Sequence, residues 1–183
     1  GIGFIPVVVG LFAISELLTQ STLLDQVYKR IALKAVKLPS FKDYKLTWKT
    51  ILRSSGIGSF IGVLPAEGGT VASLIGYSEA KRWSKNPSEF GKGSIEGIAG
   101  AEAANNAATG GAMVPTLALG IPGSATTAVI LTGLIIHGVR PGPDLFREQP
   151  EFLYGIFGAM LMANILFFIF GFFGAKIFAR ITL

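Results

Sequence analysis

The chain has 183 residues, half of them hydrophobic and 15% charged, with a mean hydropathy of +0.57. Soluble domains carry roughly a quarter charged residues, so this deficit excludes an ordinary water-soluble globule and points to lipid. There is no cysteine, which excludes disulfides, thiolate metal sites and a cysteine nucleophile, and the net charge of +5 lies in blocks between apolar segments, the pattern of a membrane protein rather than a nucleic-acid binder.

Residues 1–18 are apolar apart from Ser15 and Glu16 and are read as a transmembrane helix. No charged segment precedes them and the first residue is Gly1, so the chain is expected to be an internal piece of a longer protein without a signal peptide. Residues 19–50 carry Lys29, Arg30, Lys34, Lys37, Lys42, Lys45 and Lys49 against Asp25 and Asp43, and Pro39 and Ser40 interrupt them. This stretch is expected to be a basic cytoplasmic loop, with room in it for a short amphipathic helix. Residues 51–80 form two apolar arms around Pro65-Ala66-Glu67-Gly68-Gly69. At about 1.5 Å per residue neither arm crosses a hydrocarbon core of about 30 Å, so the pattern predicts a re-entrant hairpin. A second basic segment with Lys81, Arg82, Lys85 and Lys92 then lies on the same side as the first.

Residues 94–138 are read as broken helices. No charged residue occurs from Ala103 to Val139, counting His137 as neutral, yet Asn105-Asn106, Thr109-Gly110-Gly111, Pro115 and Gly120-Ile121-Pro122-Gly123-Ser124 punctuate the stretch. Lipid supplies no water to exposed backbone groups, so such breaks belong inside the protein or beside a wet cavity. A turn-rich loop spans residues 140–151. Residues 152–178 are read as a spanning helix, with Lys176 and Arg180 marking an interface.

The two breaks echo one another. Gly62-Val63-Leu64-Pro65 leads to Gly68-Gly69-Thr70, and Gly120-Ile121-Pro122 leads to Gly123-Ser124-Ala125-Thr126. Paired breaks of this kind point to the binding site of a secondary transporter. A helix start presents unpaired N–H groups and the positive end of its dipole, which together suit an anion. Gly68, Gly69, Thr70, Gly123, Ser124 and Thr126 are therefore the candidate substrate residues, and Asn105 and Asn106 are candidates for substrate or ion. Amide oxygens and helix-end carbonyls are hard ligands suited to Na⁺. Glu67, at the hairpin tip, is a candidate for holding a cation. The rival reading is that glycines pack helices closely and the asparagines bond between helices. Glu96 and Glu102 are read as interfacial, and His137 as a packing or interfacial residue. Enzyme signatures are lacking: Gly91-Lys92-Gly93-Ser94 resembles the end of a P-loop, but Asn86 stands where the upstream glycine is required.

The segments Phe90-Gly91-Lys92-Gly93-Ser94-Ile95-Glu96-Gly97, Ala101-Glu102-Ala103-Ala104-Asn105-Asn106-Ala107, Gly110-Gly111-Ala112, Pro115-Thr116-Leu117, Leu119-Gly120-Ile121-Pro122-Gly123 and His137-Gly138-Val139-Arg140-Pro141-Gly142-Pro143 closely resemble the TctA family, the large membrane subunits of tripartite tricarboxylate transporters. The similarity runs from about Phe4 to about Ile177 and is densest over 91–143. It implies a multi-pass permease of the bacterial inner membrane that works with a small membrane subunit and a periplasmic solute-binding protein. It further implies uptake of citrate or another carboxylate, driven by a Na⁺ or H⁺ gradient, with no organic cofactor, and a longer chain containing a related set of helices. Two departures stand out. Pro65 is followed by Ala66 and Glu67 where the family commonly has a Pro-Gly-x-Gly turn, and Ala101-Glu102 replaces a common Pro-Glu. The first places a carboxylate in the expected substrate loop and favours a different ion or a less charged solute.

The expected fold is thus an all-α integral membrane protein, a polytopic transporter with broken helices and re-entrant hairpins, of which this chain is one repeat-like part. The competing functional readings are a structural or assembly subunit and a channel, with a membrane enzyme third.

Overall fold

The computed structural model describes Ile14, Leu18, residues 39–65 and residues 68–181, with side chains as far as residue 174. The helix expected over 1–18, apart from Ile14 and Leu18, most of the basic loop, and Glu67 lie outside the described residues. The chain divides into two compact units, 1–36 and 37–183, and every element below belongs to the second. The described residues are helical and contain no strand.

Helix α1 (Phe41–Val63) starts inside the stretch read as a basic loop. Its start is set by Ser40, in extended conformation, and Asp43 three residues later, whose carboxylate accepts from the Ser40 N–H at 2.7 Å. Ten basic-segment residues are therefore the first turns of a helix rather than loop, because no Pro or Gly interrupts them and Lys tolerates a helix surface. The helix ends at Leu64, which is extended, as the residue before a proline prefers. Helix α2 (Gly68–Trp83) follows, opening on Gly68 at φ +62°, a backbone state that favours glycine. After a short turn at Pro87–Glu89, Phe90 packs edge-on against Tyr77 with centroids 5.2 Å apart.

Helix α3 (Ile95–Leu119) is capped by Ser94, whose hydroxyl accepts from the Gly97 N–H at 3.2 Å. It runs unbroken through Asn105, Asn106, Gly110, Gly111 and Pro115, and the interruption falls at Gly120, with φ +66°. The N–H groups of Gly120 and Ile121 both turn back to the Pro115 carbonyl. Helix α4 (Ala125–Ile136) resumes after this break, a short α5 (Leu145–Glu148) follows, and α6 (Pro150–Ile181) ends the described chain. Pro150–Gly174 is the one described stretch long and apolar enough to cross a membrane.

Helix α3 packs against both α1 and α2, through small residues. Ser54, Gly58 and Gly62 on α1, Ala72, Gly76 and Ala80 on α2, and Gly100, Ala104 and Ala108 on α3 each repeat every fourth position, so each set forms one stripe along its helix. A methyl group on Gly58 would collide with the Ala104 backbone, and one on Gly62 with the Ala108 backbone. One on Gly76 would lie 2.6 Å from the Gly100 carbonyl oxygen. Large apolar side chains face outward instead: Phe60, Val129, Ile136 and Phe167 are each more than 70% exposed. Small residues inside and large ones outside is the arrangement of helices that associate in lipid by close backbone approach. A second cluster, of Met113, Leu117, Leu134, Val139, Leu145 and Leu153, ties the far end of α3 to α4, α5 and the start of α6.

Candidate functional site

The second break is held by a buried hydroxyl network. Thr116 is fully buried; its Oγ1 donates to the Ala112 carbonyl at 2.7 Å and receives the Gly123 N–H at 3.4 Å. Gly123 lies against Ala112, whose Cα would be 2.8 Å from an added methyl group. Ser124 and Thr127 then cap α4 reciprocally. The Ser124 N–H donates to Thr127 Oγ1 at 2.8 Å, and the Thr127 N–H donates to Ser124 Oγ at 3.2 Å. These contacts fix where α4 begins and which way its first turn faces.

That first turn meets the start of α2 across the middle of α3. Gly68 and Gly69 from α2, Asn105, Ala108, Thr109 and Ala112 from α3, and Ser124 and Thr126 at the start of α4 line one cavity of about 160 Å³. The α3 residues lie at spacings of three, four and seven, which is one face of a helix. Among the described residues no ionisable side chain lines the cavity. Its polarity comes from the Asn105 amide, the Thr109 and Thr126 hydroxyls, and two helix N-termini, each worth roughly half a positive charge. Such a pocket offers donors to an anion at several points without burying a fixed charge.

The structure brings five of the eight candidate substrate residues together: Gly68, Gly69, Asn105, Ser124 and Thr126. Thr70 is exposed and is not in the lining. Asn106 points elsewhere; its Nδ2 donates to the Glu102 carbonyl at 2.9 Å, as expected of a residue about 100° around the helix from Asn105. Gly123 is buried as a packing residue under the break rather than in the cavity wall. Ser124 lines the cavity, but its hydroxyl is engaged with Thr127 in the cap. Thr109 was not among the candidates. The signal for it was its position one turn after Asn105, on the same helix face. Gly69 and Asn105 touch closely, since a methyl group on Gly69 would overlap the Asn105 Oδ1. Of the carboxylates read as interfacial, Glu96 accepts from the Ser84 hydroxyl and Glu102 is exposed. His137 is exposed at the end of α4.

The family described as the tripartite tricarboxylate transporter TctA family matches residues 1–183. The chain is 39% identical over 168 residues to an uncharacterized 52.8 kDa protein in the TAR-I ttuC' 3' region of Agrobacterium vitis, a match covering 91% of this chain and 33% of that protein. It is 48% identical over 109 residues to an uncharacterized protein in the TAR-II ttuC' 3' region of the same organism, covering 60% of this chain and 45% of that one. The chain therefore spans a third of one relative and under half of the other. No solved structure matches it.

Proposed function

The chain belongs to the tripartite tricarboxylate transporter TctA family, and from that membership we propose that it forms part of the carboxylate pathway of a binding-protein-dependent permease. The observation that carries this reading is the cavity shared by the two helix starts, lined by Gly69, Asn105, Thr109 and Thr126. A substrate carboxylate sits there, accepting from the first N–H groups of α2 and α4, from the Asn105 amide and from the neighbouring hydroxyls. The remaining charge of the substrate is met by residues of the longer protein, whose second set of helices is related to this one.

In this reading residues 51–80, the later part of α1 and most of α2, are a re-entrant hairpin, and α3–α4 is a broken helix crossing to the same depth. The protein is multi-pass in the bacterial inner membrane and works with a small membrane subunit and a periplasmic solute-binding protein. Uptake is coupled to Na⁺ or H⁺, with Asn105, Asn106 and Glu67 the candidate residues for the coupling ion, and alternating access carries the broken elements past a fixed scaffold. A second reading has one specific observation in its favour. Gly58, Gly62, Gly76, Gly100 and Gly123 all have packing roles, as a purely structural subunit requires. That reading leaves the polar cavity unused.

The test is uptake of labelled citrate and smaller carboxylates by the full-length protein, reconstituted with both partners, with and without an inward Na⁺ gradient. Saturable, gradient-dependent uptake that Asn105→Ala abolishes is the expected result. Undiminished uptake by the variant removes the cavity from the pathway, and absence of any carboxylate uptake by an intact complex favours the structural subunit.

A further inference from the structure

The end of the helix pair away from the cavity carries a second arrangement. Lys42, Lys45, Lys49 and Arg53 follow one another at spacings of three, four and four along α1, so they form one stripe. Lys81 and Arg82 lie in the last turn of α2. The acidic side chains of these two helices are Asp43 and Glu79, and both are already committed. Asp43 accepts from the Ser40 N–H and hydroxyl. Glu79 accepts from Arg82 at 3.3 Å and from the Trp83 indole N–H at 3.1 Å.

The chain's two tryptophans both belong to this end. The Arg53 guanidinium lies over the Trp83 ring, 4.9 Å from its centroid, and the Lys49 ammonium lies 5.5 Å from the centroid of Trp48. Trp83 is thus fixed at its edge by Glu79 and at its face by Arg53, while 64% of it stays exposed. Arg53 is half-buried, and among the described residues no group accepts from its buried Nη1. A guanidinium that has lost part of its hydration without gaining a carboxylate is a strong attractor for an anion at its accessible edge.

We propose that Lys49, Arg53 and Trp83 form a binding site for the phosphate of an anionic phospholipid at the membrane surface. The choice of lipid over a free anion rests on what borders the site. Trp48 is 49% exposed and Leu52 64% exposed. Both offer apolar surface to acyl chains, which a free phosphate would leave in contact with nothing. Tryptophan beside basic residues is also the composition of a membrane–water interface. The proposal relies on the family's membrane association and is independent of the carboxylate reading.

The experiment uses full-length protein in lipid nanodiscs that contain brominated phosphatidylglycerol or brominated phosphatidylcholine. Quenching of tryptophan fluorescence is read in the wild type and in Trp83→Phe, so that the difference isolates Trp83. The expected result is stronger quenching of Trp83 by the anionic lipid, and a fall of about fivefold in that preference in Arg53→Gln, the factor worth one basic residue near an anionic surface. Arg53→Lys should keep most of the preference. Lys45→Gln/Lys49→Gln, which alters only exposed side chains, should lower it should Arg53→Gln fail to fold. Equal quenching by the two lipids in the wild type overturns the proposal. So does suppression of the difference by inorganic phosphate, which would mark a site for a free anion. A change in Trp83 emission only when the small membrane subunit is added overturns it in favour of a protein partner.

Discussion

Replacing Gly69 by alanine perturbs the cavity without adding charge. The new methyl group would overlap the Asn105 Oδ1, with the Asn105 Cγ at 3.2 Å and its backbone oxygen at 3.6 Å. Asn105 sits on α3 near Ala104 and Ala108, both at most 2% exposed, so its backbone has no room to retreat and the amide must rotate. The clash is with the far end of an exposed side chain that can turn away, so it costs little stability, and the better helix propensity of alanine offsets that cost by up to about 1 kcal/mol. The complex therefore remains able to assemble. The effect on binding is larger. Withdrawing one amide donor from a carboxylate costs about 1.5–3 kcal/mol, which is about tenfold to a hundredfold in affinity. The assay is the concentration dependence of carboxylate uptake in proteoliposomes, where Gly69→Ala should raise KM by that factor at a near-normal level of assembled complex. Gly110→Ala is the control, since nothing lies within 4 Å of a methyl group there although Thr109 is its neighbour. An unchanged KM in Gly69→Ala, or an equal defect in Gly110→Ala, would refute the reasoning.

Gly62→Ala should lower the thermal stability of the detergent-solubilised protein by about 1–3 kcal/mol, because its methyl group meets the backbone of Ala108. Gly56→Ala, with open space around it on the same helix, should hold or raise the melting temperature, and the ordering of the two variants is the check. Ser124→Ala removes the hydroxyl that caps Thr127 and should cost about 0.5–2 kcal/mol, read as faster amide hydrogen exchange confined to the first turn of α4. Asp43 lies outside the apolar arms, and the Ser40 N–H, the Ser40 hydroxyl and the Lys42 charge hold its carboxyl below the ordinary aspartate value. A carboxyl pKa lower in the folded chain than in the unfolded one stabilises the start of α1 fully above the ordinary value. That stabilisation fades as pH falls through the lowered one. A carboxyl titration of Asp43 should show the lowered midpoint, and Ser40→Ala should move it back upward; a midpoint at or above the ordinary value would contradict this cap.

Several features of the fold were legible because they are local. Ser94, the Ser124–Thr127 pair and Pro65 act within a few residues of themselves, so helix starts and stops near them follow from side-chain chemistry alone. Pro150–Gly174 reads as a membrane-length helix from composition. The capping signal at Ser40 and Asp43 is equally local, but the density of lysines around it points to a surface loop with at most a short amphipathic helix, whereas one continuous helix starts ten residues before the apolar arm at Ile51. The glycines and amides of residues 105–111 suggested interruption, yet close packing against α1 and α2 holds them helical.

The amino-acid sequence by itself determined that this chain is apolar and that described helices stop near Pro65 and Gly120, because those properties depend on composition and on neighbours along the chain. Only the tertiary structure decided that Gly69 meets Asn105, that Thr109 joins the cavity while Asn106 and Gly123 leave it, and that Arg53 covers Trp83. The reason lies in the helices themselves. α3 and α4 are apolar nearly all the way round, so no hydrophobic stripe announces which face turns inward. The choice is made instead by which backbones can approach most closely, and that depends on small residues far apart in sequence coming into register across α1, α2 and α3.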